Sequence, residues 1–341
     1  MPTQFVLLLT AVNIHRETIG ISSGHAEQGP TPVDAYTLDT GRGISIVVWT
    51  YGATLIEVLV PDRNAHLANV VVRLPDLRNY ENRLKNPYFG ATLGRFARCI
   101  AKGRFRLDEV DYQLECNFGG HHFHGGKIGF DRFVWNAEAE RRGDELLLHL
   151  RLERPDGDQG YPGALSVETI YLVRGDGRLS FEHRAITTAS TVVALTNHSY
   201  WNLASSGTVN NHRLALNAAR VLLLDNELIP LGLPVDVVGT ELDYTRTRPL
   251  ADHRLDHCFV LDDAAWAAEL FDPASGRFMR VLTDQPGLAV YSADGLTEPR
   301  VGLCLQTGAW PDSPNRADYP SSRLDPGAKY RHQTTHEFST R

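Results

Sequence analysis

The chain has 341 residues, 42% of them hydrophobic and 22% charged, which supplies ample apolar surface for a folded core and does not match the composition of a disordered chain. Its 34 basic and 41 acidic residues give a formal charge of -7, so the basic field that nucleic-acid phosphates or an anionic membrane would require is missing, and neither is an expected partner. Four cysteines, Cys99, Cys116, Cys258 and Cys304, lie far apart with no Cys-x-x-Cys pair, which signals neither a zinc site nor a disulfide frame and fits a cytoplasmic location.

In chain order, the first apolar run, Phe5 to Leu9, is too short to span a bilayer and follows no basic residue, so it reads as a peripheral strand rather than a secretory signal. "PDLRNYENRL" predicts a helix, with Pro75 in its first turn and Leu77, Tyr80 and Leu84 on one face. "FRLDEVDYQL" reads as a hairpin turning at Asp108 and Glu109. "LHLRLE" (Leu148 to Glu153) and "ALSVETIYLV" (Ala164 to Val173) alternate with the period of half-buried strands. "DAAWAAELF" is ambiguous, because its alanines favour helix and its neighbours read as strand. Gly and Pro punctuate the rest, as in "GDQGYPG" and "LDPGAKY", and no repeat or linker appears. The expectation is one all-β domain over residues 1–341, a mainly antiparallel sandwich with few short helices and a peripheral segment at 1–33.

Polar groups interrupt this apolar pattern at a few places. "GGHHFHGGKIGFD" sets His121, His122 and His124 between glycine pairs, where a ligand can approach the backbone closely. "VVALTNHSYWNL" places Asn197 and His198 after an apolar run, "RLDHCFVL" places Asp256 and His257 at the mouth of another, and "CLQTGAWPDSPN" carries Gln306 inside a third. Taken singly, a histidine at a strand end is more often a satisfied hydrogen-bonding residue than a catalyst. The histidine triplet lacks an obvious third metal ligand, so no metal is expected.

Together, "NPYFGATLGRFARCIAKGRF", "HFHGGKIGFDRFVW", "DGDQGYPGALSVETIYL", "LTNHSYWNL", "LDHCFVL" and "CLQTGAWPDSPN" resemble the aldose 1-epimerase (galactose mutarotase) family, in order, from about Asp34 to the C-terminus. The resemblance implies a galactose mutarotase-like β-supersandwich with an open, cofactor-free cleft for a small carbohydrate or a related oxygenated metabolite, in a monomer or homodimer. It also implies roles. In the family a carboxylate takes the anomeric proton while a histidine protonates the ring oxygen; one base and one acid are needed on opposite sides of the hemiacetal. His198 matches the general acid, while His124, Asp256 and Gln285 match residues that hold the sugar, with Asn197 and His122 beside them as further binding candidates.

The resemblance breaks at three places. Gln306 stands where the family carries its glutamate base, and an amide cannot take a proton at neutral pH. Arg98 and Cys99 stand where the family has Asn-Arg, so both members of a substrate-gripping pair differ; Arg98 is a substrate-binding candidate but not an evident stand-in, because neighbouring strand residues point to opposite faces unless a bulge intervenes. Gly308 replaces a larger polar residue. Three changes together read as a natural branch with an altered task rather than as a single substitution that traps substrate. Three functions stay open: a hemiacetal-handling enzyme in which His121 or His122 replaces the base, an acid catalyst repurposed to another oxygenated metabolite, and a carbohydrate-binding protein without turnover.

Overall fold

A computed structural model describes residues 12–261 and 266–341. The Phe5–Leu9 run and the start of "DAAWAAELF" therefore lie outside the described residues; the latter's end is strand Ala268–Phe271.

Three sheets make up the body. A nine-stranded sheet runs in the order Asn136–Arg142, Glu145–Arg154, Leu165–Arg174, Arg178–Thr187, Tyr330–Thr340, Arg277–Thr283, Ala268–Phe271, Arg213–Leu216 and Arg248–Pro249. A five-stranded meander from Asn13–Ile21 to Leu67–Asn69 forms the second. The third has six strands, ordered Tyr200–Trp201, Leu303–Gly308, Gly287–Tyr291, Asp256–Val260, Arg220–Leu222 and Val235–Asp236. Their ladders are antiparallel, as expected from the sequence. One apolar cluster draws Leu38 and Val58 from the meander, Leu148 and Val173 from the large sheet, and Leu288 and Leu305 from the third. The alternation read at Leu148 to Glu153 is real: Leu148, Leu150 and Leu152 are buried, and Arg151 and Glu153 are exposed. Among the described residues no helix is long and apolar enough to cross a membrane.

The helix is shorter than predicted. It spans Leu77–Glu81, with Asp76 as the N-cap accepting from the Asn79 N–H, and buries Leu77 and Tyr80. Pro75 precedes the cap, and Leu84 is 97% exposed. The cause is Asn82, whose side-chain oxygen takes the Leu84 N–H at 3.0 Å while its carbonyl takes those of Lys85 and Asn86, an alternative to another helical turn. The hairpin forms as read, from Arg104–Leu107 and Val110–Gln113, and positive φ at both Asp108 (48°) and Glu109 (66°) marks a type I′ turn.

Candidate active site

Strand alternation decides which side chains meet. In Leu303–Gly308, Leu303 and Leu305 pack into the core and Thr307 bonds His332 and Thr334 behind the sheet, so Cys304, Gln306 and Gly308 share the opposite face. The register carries that face across the neighbouring strands. Gln306 stands opposite Ala289, Cys304 opposite both Tyr291 and Tyr200, and Tyr291 opposite Asp256.

His198 enters from the link between the two-residue strands Thr196–Asn197 and Tyr200–Trp201. Its N–H donates to Ala91 O and its carbonyl accepts from the Gly90 N–H, both at 2.9 Å. The ring is held between Tyr88, centroid 5.8 Å away at 23°, and Tyr200, 5.0 Å away at 25°. Gln306 Nε2 lies 3.3 Å from His198 Nε2 and donates into its lone pair, which requires the imidazole proton on Nδ1, 3.7 Å from Cys304 Sγ. Burial, and after it the charge of Arg98, pushes the His198 pKa down to about 3. At neutral pH this imidazole is therefore neutral. Gln306 Oε1 is buried and has no hydrogen-bond partner.

His124 meets His198 edge-on, with centroids 5.3 Å apart. Its Nδ1 accepts the Arg98 N–H at 3.0 Å, so the proton of the neutral ring sits on Nε2, the nitrogen left for a ligand. Burial, followed by the influence of His198, Arg98 and Arg83, holds His124 well below the ordinary imidazole range. The glycines after it are a geometric necessity: a Cβ on Gly125, where φ is +85°, would lie 1.8 Å from Gly94 O.

Arg98 breaks the strand alternation. Its φ of +71° interrupts the alternation just before strand Cys99–Ile100, and the guanidinium turns toward Asp256, with Nη1 3.5 Å from Oδ1. Asp256 marks the open side of the site, its side chain 37% exposed, against 8% for Arg98. Gly308 leaves room at the end of the strand, since a Cβ there would meet nothing closer than Leu195 O at 3.7 Å.

Other candidates stand apart. His122 is fully buried; its Nδ1 donates to Glu115 O and its Nε2 accepts from Tyr161 Oη, both at 2.8 Å, so no ring nitrogen is free. His121 accepts the Lys102 N–H on Nδ1 and places Nε2 3.3 Å from Glu227. Asn197 spends its amide on the fold, donating to Gly90 O and Tyr171 Oη and accepting from Ser199. Gln285 lies in the turn before Gly287–Tyr291 and donates to Asp284 Oδ1 at 2.8 Å. Sequence reasoning did not single out Tyr88 or Arg83. Tyr88 has φ +67°, a conformation no pattern announces, and Arg83 sits 4.3 Å over its ring while pairing with Asp131. Among the described residues no cluster of three or more His, Cys, Asp or Glu could hold a metal ion.

With this geometry in view, a family model described as aldose 1-epimerase matches residues 34–337. The chain belongs to the aldose 1-epimerase family. Galactose mutarotase of Mus musculus is 35% identical over 339 residues, covering 93% of this chain and 97% of that protein. Aldose 1-epimerase of Escherichia coli (strain K12) is 30% identical over 335 residues, covering 90% and 95%. Among solved structures, the aldose epimerase homologue from C. elegans superposes with a TM-score of 0.82 at 25% identity over 88% of this chain and 96% of its own. Galactose 1-epimerase from Lactobacillus acidophilus NCFM gives 0.86 at 24% identity over 97% and 99%, a likeness of fold. The three sheets are thus the galactose mutarotase-like fold of the aldose 1-epimerases, a family of isomerases of carbohydrate metabolism.

Proposed function

We propose that this aldose 1-epimerase relative binds the cyclic hemiacetal of a sugar and interconverts its anomers slowly, through His198 and without a carboxylate base. The observation that carries this reading is the 3.3 Å approach of the Gln306 amide to His198 Nε2, within one constellation that also holds His124, Arg98 and Asp256. A neutral imidazole is a proton acceptor, whereas an imidazole with a pKa near 3 is protonated in only about one molecule in ten thousand at pH 7. His198 then serves as base first. Once a sugar oxygen draws the Gln306 amide away from Nε2, that nitrogen accepts the anomeric hydroxyl proton as the C1–O5 bond breaks and returns it to O5, leaving the open-chain aldehyde. Rotation about C1 and reversal of the transfer give the other anomer, with no net proton exchanged. His124 Nε2–H and the Gln306 amide contribute hydrogen bonds to sugar oxygens.

Replacing a carboxylate base by an amide costs about 10² to 10⁴ in rate. Neither His121 nor His122 compensates, because their ring nitrogens are already engaged. The buried, unpartnered Gln306 Oε1 favours a second reading, carbohydrate binding without turnover, since it offers a sugar hydroxyl an acceptor that needs no titration. Polarimetry and anomer-resolved NMR on galactose and glucose separate the two. A rate above that of His198→Ala supports the enzyme, and equal rates with measurable binding support the second reading.

A further inference from the structure

Arginines in this chain repeatedly use one edge of the guanidinium, the pair Nε and Nη2, to hold a carboxylate. Arg142 grips both oxygens of Glu140 in this way at 2.6 and 2.7 Å, Arg280 holds Glu269 at 3.0 and 2.7 Å, and Arg16 holds Asp34 at 3.1 and 2.7 Å. At Arg98 the same two nitrogens are buried and have no hydrogen-bond partner. Only Nη1 is engaged, in the long pair with Asp256 at 3.5 Å. Arg95 shares the unsatisfied edge, but it lies beside Asp158 at 3.9 Å and its Nη1 bonds the carbonyls of Pro162 and Gly163. Arg98 instead belongs to the site, its backbone N–H fixing His124 and its charge acting on both imidazoles.

An unsatisfied buried donor is costly, and a planar pair of oxygens satisfies this edge better than any single acceptor. The surrounding charges point the same way. Position 306 carries an amide, both imidazoles are neutral at pH 7, and Asp256 lies toward solvent on the Nη1 side. Among the described residues Asp256 is the one carboxylate paired with Arg98, and it meets Nη1 rather than the free edge.

We propose that the Nε/Nη2 edge of Arg98 receives the carboxylate of a sugar acid, so that the site selects a uronate-type hemiacetal over the neutral hexose. This rests on the reading of the cleft as a hemiacetal site and names the substrate class for it. Arg98 is the specificity-determining residue of this proposal, and its left-handed backbone accompanies the turn of the guanidinium toward Asp256.

Calorimetry with the full chain at pH 7 tests this using D-galacturonate and D-glucuronate, their methyl esters, and galactose and glucose. Uronates are ionised at that pH, and the esters keep the shape without the charge. The wild-type chain is expected to bind each acid at least about tenfold tighter than its ester, the gain falling as salt rises. Arg98→Asn is expected to bring the acid-to-ester ratio to about one, and Arg98→Lys, a charge without a fork, to restore only part of it. Equal affinity of acid and ester in the wild type overturns the proposal, and so does a ratio that survives Arg98→Asn in a variant with unchanged circular dichroism. If Arg98→Asn does not fold, the wild-type ratio decides alone. Binding of neutral hexoses without a gain for the acids removes this inference and leaves the hemiacetal reading standing; binding of no sugar removes both.

Discussion

Gln306→Glu puts a carboxylate oxygen where the amide nitrogen now stands, 3.3 Å from His198 Nε2. With an effective dielectric constant of about 20, a pair of opposite unit charges at that distance attracts by about 5 kcal/mol. One pKa step corresponds to about 1.36 kcal/mol, so the new carboxylate lifts His198 by roughly 3 to 4 pH units, from about 3 to near neutrality. The substitution therefore restores two functions at once: a carboxylate able to take the anomeric proton and an imidazolium able to give one. Glutamate and imidazole then share a proton and titrate as a pair. Anomer exchange measured by NMR on galactose is expected to rise by about 10² to 10⁴ over the wild type and to follow a bell-shaped pH profile. Histidine ¹⁵N shifts should show one imidazole titrating between about pH 6 and 8 that stays neutral in the wild type. If the variant folds, yet His198 still titrates below about pH 4.5 and the rate gain stays under tenfold, the electrostatic account of Gln306 is wrong.

Acid should unfold the protein early. Burial holds His124 and His183 well below the ordinary imidazole value, His122, His212 and His332 at about 4, and His198 and His336 at about 3. The unfolded chain takes up protons first as pH drops below about 6.5, so stability is full above that value and falls toward the folded values, by up to about 1.4 kcal/mol per pH unit for each histidine. A melting temperature unchanged between pH 7.5 and 4.5 would contradict this. Gly125→Ala, whose Cβ would sit 1.8 Å from Gly94 O, should cost about 3 kcal/mol or more in urea unfolding, and a loss below about 1 kcal/mol would mean that the loop around His124 yields. Tyr161→Phe leaves His122 Nε2 without its donor and should cost about 1 to 3 kcal/mol while anomer exchange stays as it was; a tenfold slower exchange would return His122 to the chemistry.

The long strands were legible because their alternation is a local property of the sequence, and His124, His198, Asp256 and Gln306 were proposed from motifs that the resemblance carries. What escaped depends on contacts between distant segments. Nothing in "GGHHFHGG" tells which of its histidines is consumed by Glu115 and Tyr161 and which by Arg98. The orientation of Arg98 was open in the sequence because a single left-handed residue overrides period-two alternation, and an arginine carries no sign of positive φ. Leu84 was misplaced for a similar reason, because the Asn82 turn outcompetes another turn of helix. The amide N–H groups of Asn197 go to residues 90 and 171, far off in the chain, which its local sequence does not show.

Because Leu303–Gly308 shows one row of side chains to the hydrophobic interior and the other to the candidate site, inserting or deleting a single residue would exchange the two rows, expelling Leu305 from the core and forcing Gln306 into it. Length is frozen in this stretch by its two-sidedness. Innovation in the chemistry is channelled into replacements at every second position, where an acid can become an amide, or a large group a glycine, without disturbing the packing behind.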